Sequence, residues 1–329
     1  MQHFISYKKE ISDFLISFLT HQKLELKDSH FSEDVFERLI PLATSGKMLR
    51  GSLLMNAYEK LTGKKYSQEA LQAATALELA QTGFLIHDDI IDQDELRRGQ
   101  PTLHHQYTQR SEQKKYQQPA HTGASLATCA GDLVFFLAYE LLSGGLIKLF
   151  SQHFGLVALG EMHDVELALM NGEVITKESI FQMYLDKTAS YTISLPLMAG
   201  AVLAEQGEEF VIQLNELGKT LGLIFQIKDD ELGLFGDKQK TGKPVGADIR
   251  EGKKTLYYYY LEKKAPGTFA ENGVEEILSL MEKHQIVELV NNDLEKLEVN
   301  SQQQIKELRV VEFRKMLKEF SEVNLRREK

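Results

Sequence analysis

Apolar positions recur at helical spacing along nearly the whole chain, and no stretch sustains the alternation of a half-buried strand. "SQEALQAATALELAQTGFLIHDDII", from Ser67 to Ile91, is rich in Ala, Leu and Glu, which favour helix. Ser67 stands where an N-cap is needed, and the pattern runs for about seven turns. "AGDLVFFLAYELLSGGLIKLF", "FQMYLDKTASYTISLPLMAGAVLA" and "LNELGKTLGLIFQIKDDELGLFG" read as further long, largely buried helices. A kink is expected at Pro196. From Glu271 onward the chain is charged and amphipathic, which predicts shorter surface helices. Two polar stretches, "HHQYTQRSEQKKYQQPAHTG" and "GDKQKTGKPVGADIREGKK", are predicted as mobile loops. The class these elements imply is all-α, a helical bundle.

Length and composition narrow the picture further. The 329 residues suffice for one large core or for two domains. No Pro/Gly/Ser-rich linker, repeat or low-complexity segment divides them, so one domain over residues 1–329 is expected. Net charge is −10, with acids and bases interspersed, a poor basis for binding nucleic acid or an anionic membrane. Cys129 is the only cysteine, so no intrachain disulfide can form, which suits a reducing cytoplasm. There is no signal peptide and no apolar run near eighteen residues, so no bilayer-spanning segment is expected.

The chemistry concentrates at helix ends. "IHDDIIDQDELRRG" carries Asp88, Asp89, Asp92, Asp94 and Glu95 within eight residues, followed by Arg97 and Arg98. On a helix Asp88, Asp89 and Asp92 can share one side. Like charges repel there, and a helix C-terminus is the negative end of the dipole. Such a cluster is either a solvated helix end or a site for a divalent cation. Mg²⁺ takes one or two carboxylates and completes its shell with water and phosphate. Asp229 and Asp230, in "FQIKDDELG", end a second apolar helix in the same way. A phosphorylated ligand would also need cations. Lys47 and Arg50 in "SGKMLRG", Arg97, Arg98, Lys187 in "DKTA" and Lys243 in "TGKPVG" are candidates, each otherwise an ordinary surface charge. "GKKT" at Gly252 lacks the pattern of a P-loop, which argues against an ordinary NTPase.

Taken together, from Lys47 to Lys254, these residues resemble the trans-polyprenyl synthetase (isoprenyl diphosphate synthase) family. "GKMLRG" is similar to its GKxxRP, and "DDIIDQDELRRGQPT" to its first aspartate-rich motif, DDxxDxxxxRRGxPT. "AGDLVF", "KTASY", "FQIKDD" and "GKPVGADIREGKKT" follow in the family's order. The resemblance implies an isoprenoid synthase type I bundle around a deep central cavity, usually homodimeric. It implies that Asp88, Asp89, Asp92 and Asp229 hold Mg²⁺, three ions with substrate bound, against an allylic diphosphate. Arg97, Lys187 and Lys243 would bind that diphosphate, and Thr188 and Gln226 would line the space where carbocation charge develops. Lys47, Arg50, Gln81 and Arg98 would bind isopentenyl diphosphate. Asp230 and Lys253 are further expected substrate contacts. Gly51 replaces the family's usual proline, Gln81 a frequent histidine, and Gly233 the last aspartate of the second motif, where water would then complete the metal shell.

The activity implied is head-to-tail condensation of isopentenyl diphosphate with an allylic diphosphate: ionisation, attack and proton loss. Gly83 and Phe84, just before the first aspartates, are expected to govern chain length. With small residues at positions 83, 80, 76 and 73, a C20 product, geranylgeranyl diphosphate, is expected. C25 to C35 or C15 products are alternatives. A class I terpene cyclase or a catalytically silent partner subunit would share part of the pattern. The cations at Lys47, Arg50 and Arg98 argue against the cyclase, and the complete first cluster against the silent subunit. Transient membrane contact for product release and a cytoplasmic location complete the expectations.

Overall fold

The computed structural model describes residues 2–170, 174–236 and 246–326. They form two compact units, residues 2–148 and 149–326, and the boundary falls inside one helix. Helices dominate both units. Among the described residues the strands are β1 (Leu96–Arg97) and β2 (Gln100–Pro101), an antiparallel pair with Arg97 opposite Gln100.

In the first unit a 3₁₀ turn (Gln2–Ile5) leads to α1 (Lys8–Glu25), α2 (Ser32–Thr44), α3 (Leu49–Thr62) and α4 (Gln68–Ile91). After the β1–β2 hairpin come α5 (Leu103–Gln113) and α6 (Pro119–Glu140). The axis of the unit is α4, which touches α1, α2, α3, α5 and α6. Its 24 residues match the pattern read from the sequence, and the Ser67 hydroxyl accepts from the Ala70 N–H as an N-cap. Ala70, Ala73, Ala74, Ala76 and Ala80 are buried, and their small size lets neighbouring helices approach closely.

The second unit contains most of α7 (Gly145–Leu169), then α8 (Lys177–Tyr184), a π-helix (Leu185–Ser194), α9 (Leu195–Leu203) and α10 (Glu208–Phe235). Short α11 (Ala247–Arg250), α12 (Leu256–Lys264) and α13 (Thr268–Glu271) follow. The chain closes with α14 (Val274–Lys283), α15 (Ile286–Glu307) and α16 (Val311–Leu325). The 28-residue α10 is the hub, packing on the π-helix, α9, α15 and α16. Proline has no N–H to give to the preceding turn and its ring crowds that turn's carbonyls. Here the expected kink at Pro196 is a ten-residue π-helix directly before α9, in which Pro196 occupies the first turn.

Three expectations change. The polar stretch from His104 to Gly123 is largely helical: α5 buries Leu103, Tyr107 and Ser111, one stripe at four-residue spacing, so a single buried ridge suffices to order it. The tail helices are not all short, since α15 has 22 residues. Among the described residues one helix, α6, is long and apolar enough to cross a membrane by length and composition alone; its inward face packs on α4 and α5, as a core helix would. In the second predicted loop, residues 237–245 lie outside the described residues, and α11 follows them.

Candidate functional site

In the first unit Asp88 and Asp89 occupy the last turn of α4, and Asp92 is its C-cap. The hairpin folds the chain back over this helix end. At its tip Arg98 (φ 54°) and Gly99 (φ 75°) both take left-handed conformations, as a tight two-residue hairpin requires. Arg97 then reaches the aspartates: its Nε donates to Asp89 Oδ1 at 2.5 Å and a terminal nitrogen to Asp88 Oδ2 at 2.7 Å. Asp89 is only 2% exposed. Burial pushes its carboxyl up to about 6; Arg97 opposes the shift, and Asp88 adds to it.

Arg98 points elsewhere. Its guanidinium donates to Ser45 Oγ at 3.3 Å, on the loop that carries Lys47 into α3. Arg50 lies in the first turn of α3, whose Gly51 N–H donates to the buried Glu78 of α4 at 2.7 Å. Gln81 is three residues farther along α4, on the same side as Glu78, with its Oε1 buried and lacking a hydrogen-bond partner among the described residues. The fold thus gathers Arg50, Gln81 and Arg98 about Glu78, a residue that motif reading passed over, with Lys47 on the adjoining loop. Gly83 and Phe84 both meet Phe135 of α6. A Cβ at position 83 would stand 3.0 Å from that ring, and the Phe84 and Phe135 rings lie 4.8 Å apart, edge to face. Position 83 is therefore not open space as its glycine implied. Phe135 fills it from another helix, a contact that no local motif records.

In the second unit Lys187 and Thr188 open the π-helix. Lys187 Nζ pairs with Glu161 at 2.8 Å and Asp164 at 2.6 Å, both on α7. Gly160 permits that approach, since a Cβ there would lie 2.6 Å from the Lys187 Cα. Asp229 is exposed near the end of α10, whereas Asp230 is 5% exposed. Tyr184 donates a short hydrogen bond to Asp230, Gln226 donates to it at 2.7 Å, and the Leu256 N–H donates to the Tyr184 hydroxyl at 2.9 Å. Burial, then the nearby Asp248, pushes the Asp230 carboxyl well up. Through these bonds Asp230 and Gln226 tie α8, α10 and the start of α12 together. A one-residue step along a helix turns a side chain by about 100°, so the second acid of the pair faces the core.

At position 233 a Cβ would lie 2.8 Å from Asp248 Cγ, so the Asp248 carboxylate of α11 fills the space directly beside Gly233. Lys253 pairs with Glu251 at 2.7 Å. Lys243 lies outside the described residues.

The donor chemistry fits magnesium. The groups are carboxylates, hard oxygen ligands, and Asp88 and Asp92 are half-buried at i, i+4 spacing. Among the described residues no three His, Cys, Asp or Glu side chains form a ready cage. Mg²⁺ needs none, because one or two carboxylates with water and phosphate complete its octahedron.

Comparison with known proteins gives a consistent picture. The sequence model of the polyprenyl synthetase family matches residues 33–291. The chain is similar to the short chain isoprenyl diphosphate synthase of Methanocaldococcus jannaschii, 35% identical over 248 residues, which span 73% of this chain and 68% of that protein. It is 34% identical over 241 residues to the geranylgeranyl diphosphate synthase of Sulfolobus acidocaldarius, covering 69% of this chain and 68% of the relative. Its fold resembles the crystal structure of geranylgeranyl pyrophosphate synthase from Corynebacterium glutamicum complexed with isoprenyl diphosphate and magnesium. There the TM-score is 0.87 at 27% identity, over 98% of this chain and 99% of that one. The chain belongs to the polyprenyl synthetase family.

Proposed function

We propose that the protein is a magnesium-dependent prenyl diphosphate synthase that joins isopentenyl diphosphate head-to-tail to an allylic diphosphate and makes the C20 product, geranylgeranyl diphosphate. One observation carries the two-substrate reading. A single helix, α4, ends in the aspartate cluster and, seven to ten residues earlier, presents Glu78 and Gln81 beside Arg50 and Arg98. At 1.5 Å per residue these two anion-handling regions lie roughly 10–15 Å apart along the helix. That separation suits two diphosphates whose carbon ends react with each other. A cyclase has no use for the second region. The names of the relatives support C20.

Asp88, Asp89 and Asp92, with Asp229 in the second unit, are the residues that would hold three magnesium ions. When bound, magnesium supplies Lewis-acid neutralisation of the departing diphosphate. Arg97 fixes the aspartates and faces the same diphosphate. Lys187, Lys243 and Lys253 add positive charge where negative charge develops. Lys47, Arg50, Gln81 and Arg98 hold isopentenyl diphosphate so that its alkene meets the allylic carbon at reacting distance. Thr188 lies close to Lys187 and faces the allylic cation. Apolar walls keep water from that cation. The departing diphosphate itself takes the proton, so no side-chain nucleophile is required.

We further propose one catalytic domain built from both units, since the family match spans them. We also propose a homodimer, because Leu159, Met162, Val165 and Leu169 form an exposed apolar stripe on α7. The location proposed is cytoplasmic, with transient membrane contact as product leaves. The deciding assay follows diphosphate release from isopentenyl diphosphate plus dimethylallyl, geranyl or farnesyl diphosphate, with and without Mg²⁺, and sizes the products. Release that needs both substrates and Mg²⁺ and ends at C20 is expected. Release from the allylic diphosphate alone would mean a cyclase, and none at all a silent subunit.

A further inference from the structure

We infer that Glu78 is the positioning residue of the isopentenyl diphosphate site, and that Gly51 and Glu78 act as a pair; this rests on the reading just proposed. The first turn of any helix leaves N–H groups without intrahelical partners. Its usual remedy is a capping side chain, and α3 lacks one. Met48 stands at the N-cap in a left-handed conformation (φ 55°) and makes no capping hydrogen bond. Glu78 caps α3 from a different helix. Its Oε1 accepts from the Gly51 N–H at 2.7 Å, and the Arg50 N–H also donates to it. The residue is only 6% exposed. A carboxylate so buried is costly unless hydrogen bonds and charge compensate it. Burial is the largest influence and pushes the Glu78 carboxyl up; two backbone donors at the positive end of α3, and the Arg50 and Arg98 side chains, oppose it and favour the charged form.

Position 51 makes this possible. A side chain there would put its Cβ 2.8 Å from the Ala74 carbonyl oxygen and 3.1 Å from Glu78 Cγ. Glycine lets the start of α3 lie directly on α4. Proline, which the motif usually carries here, has no N–H to donate and would bring that Cβ as well. The glycine and the buried acid therefore answer one another.

The consequence falls on the cations. Arg50 and Arg98 repel one another, and with Arg97 nearby the Arg98 guanidinium is held below its usual range; burial is the largest cause and Glu78 works against it. Arg98 also touches Ser45, on the loop that carries Lys47. Glu78 thus acts as an internal counter-anion. It holds the start of α3 in register three residues from Gln81, so the group is arranged before diphosphate arrives. A preorganised site has no rearrangement to make on binding. Glu78 itself touches no substrate in this scheme and acts through Arg50 and its neighbours.

Glu78→Gln tests this, because it preserves shape and one acceptor but removes the charge. The readouts are KM for each substrate at saturating Mg²⁺, the Kd of isopentenyl diphosphate alone by calorimetry, and Tm. The expected result is at least a tenfold rise in KM and Kd for isopentenyl diphosphate, with KM for the allylic diphosphate within twofold. Glu78→Asp, which keeps the charge, should lie between wild type and Glu78→Gln, and it reads the same selectivity should the glutamine variant not fold. Unchanged constants, or an equal rise for both substrates accompanied by a fall in Tm, would overturn the inference and leave Glu78 a purely structural cap. A wild-type protein that neither binds nor consumes isopentenyl diphosphate would overturn the functional reading itself, and this inference with it.

Discussion

At the scale of single residues, neighbours from other helices decide what a motif position can do. Gly233 looks like a lost aspartate, and restoring Asp there looks harmless. Asp248 already fills that space, so Gly233→Asp would force two carboxylates together and make the Asp248 side chain give way. Overpacking and like-charge repulsion both count against it. Turnover of Gly233→Asp should fall more than tenfold, equivalent to over about 1.4 kcal/mol of barrier. The double change Gly233→Asp with Asp248→Gly should recover much of the loss in a steady-state assay. Phe135 gives a parallel case. It covers Gly83 and meets Phe84 edge to face, so the two rings form one wall. Phe84→Ala should lengthen products by at least one five-carbon unit, and Phe84→Ala with Phe135→Ala should lengthen them further, read by chromatography of dephosphorylated products. Unchanged lengths in both would place the limiting wall on another helix. Neither Asp248 nor Phe135 is visible in the local sequence, because each acts on a position far from it along the chain.

At the scale of elements, long periodic segments were legible and local exceptions were not. The α4 helix was readable because propensity, cap and apolar stripe agree over 24 residues. By contrast, α5 read as a loop because its buried stripe is narrow and the rest of its surface is polar. The π-helix was hidden because a proline signals a break without saying which geometry the break will take. The aspartate clusters and their cations were legible as ordered motifs. The inward turn of Asp230 and Gln226 was not, since it depends on Tyr184 and on the chain entering α12. One junction of elements shows no motif at all. Asp293 of α15 is 5% exposed and accepts from Lys177 of α8 at 2.5 Å and from Tyr260 of α12 at 2.6 Å. Burial alone would raise the Asp293 carboxyl; the Lys177 ammonium and the Tyr260 hydroxyl outweigh it and hold it below the usual range. A lowered native pKa means that its contribution is present above the unfolded value of about 4 and is lost as pH falls through the native one. Asp293→Ala should destabilise by about 3–5 kcal/mol, leaving Lys177 without its main counter-charge. Denaturant melts at pH 7 and below pH 4 check both statements, since the difference between wild type and variant should narrow in acid.

At the scale of the whole molecule, the exposed stripe on α7 is the feature most at odds with a monomer in water. Leu159, Met162 and Leu169 are 60%, 68% and 84% exposed. Large apolar patches of this kind mark association surfaces. Met162→Glu should shift the sedimenting species from dimer to monomer while leaving the helical circular dichroism signal in place. A wild-type monomer at micromolar concentration would remove the basis for the proposed pairing. The hairpin that carries the two arginines has a different bearing on the molecule. Arg97 turns back to the aspartates and Arg98 turns away to Ser45, although the two are adjacent in the chain. What separates their duties is the length of the turn, held by left-handed conformations at Arg98 and Gly99. Exposed Gln100 can be exchanged for many residues, but one residue inserted or deleted there would break the pairing of Arg97 with position 100 that fixes the hairpin. At position 100, drift in amino-acid identity is tolerable and drift in residue count is not.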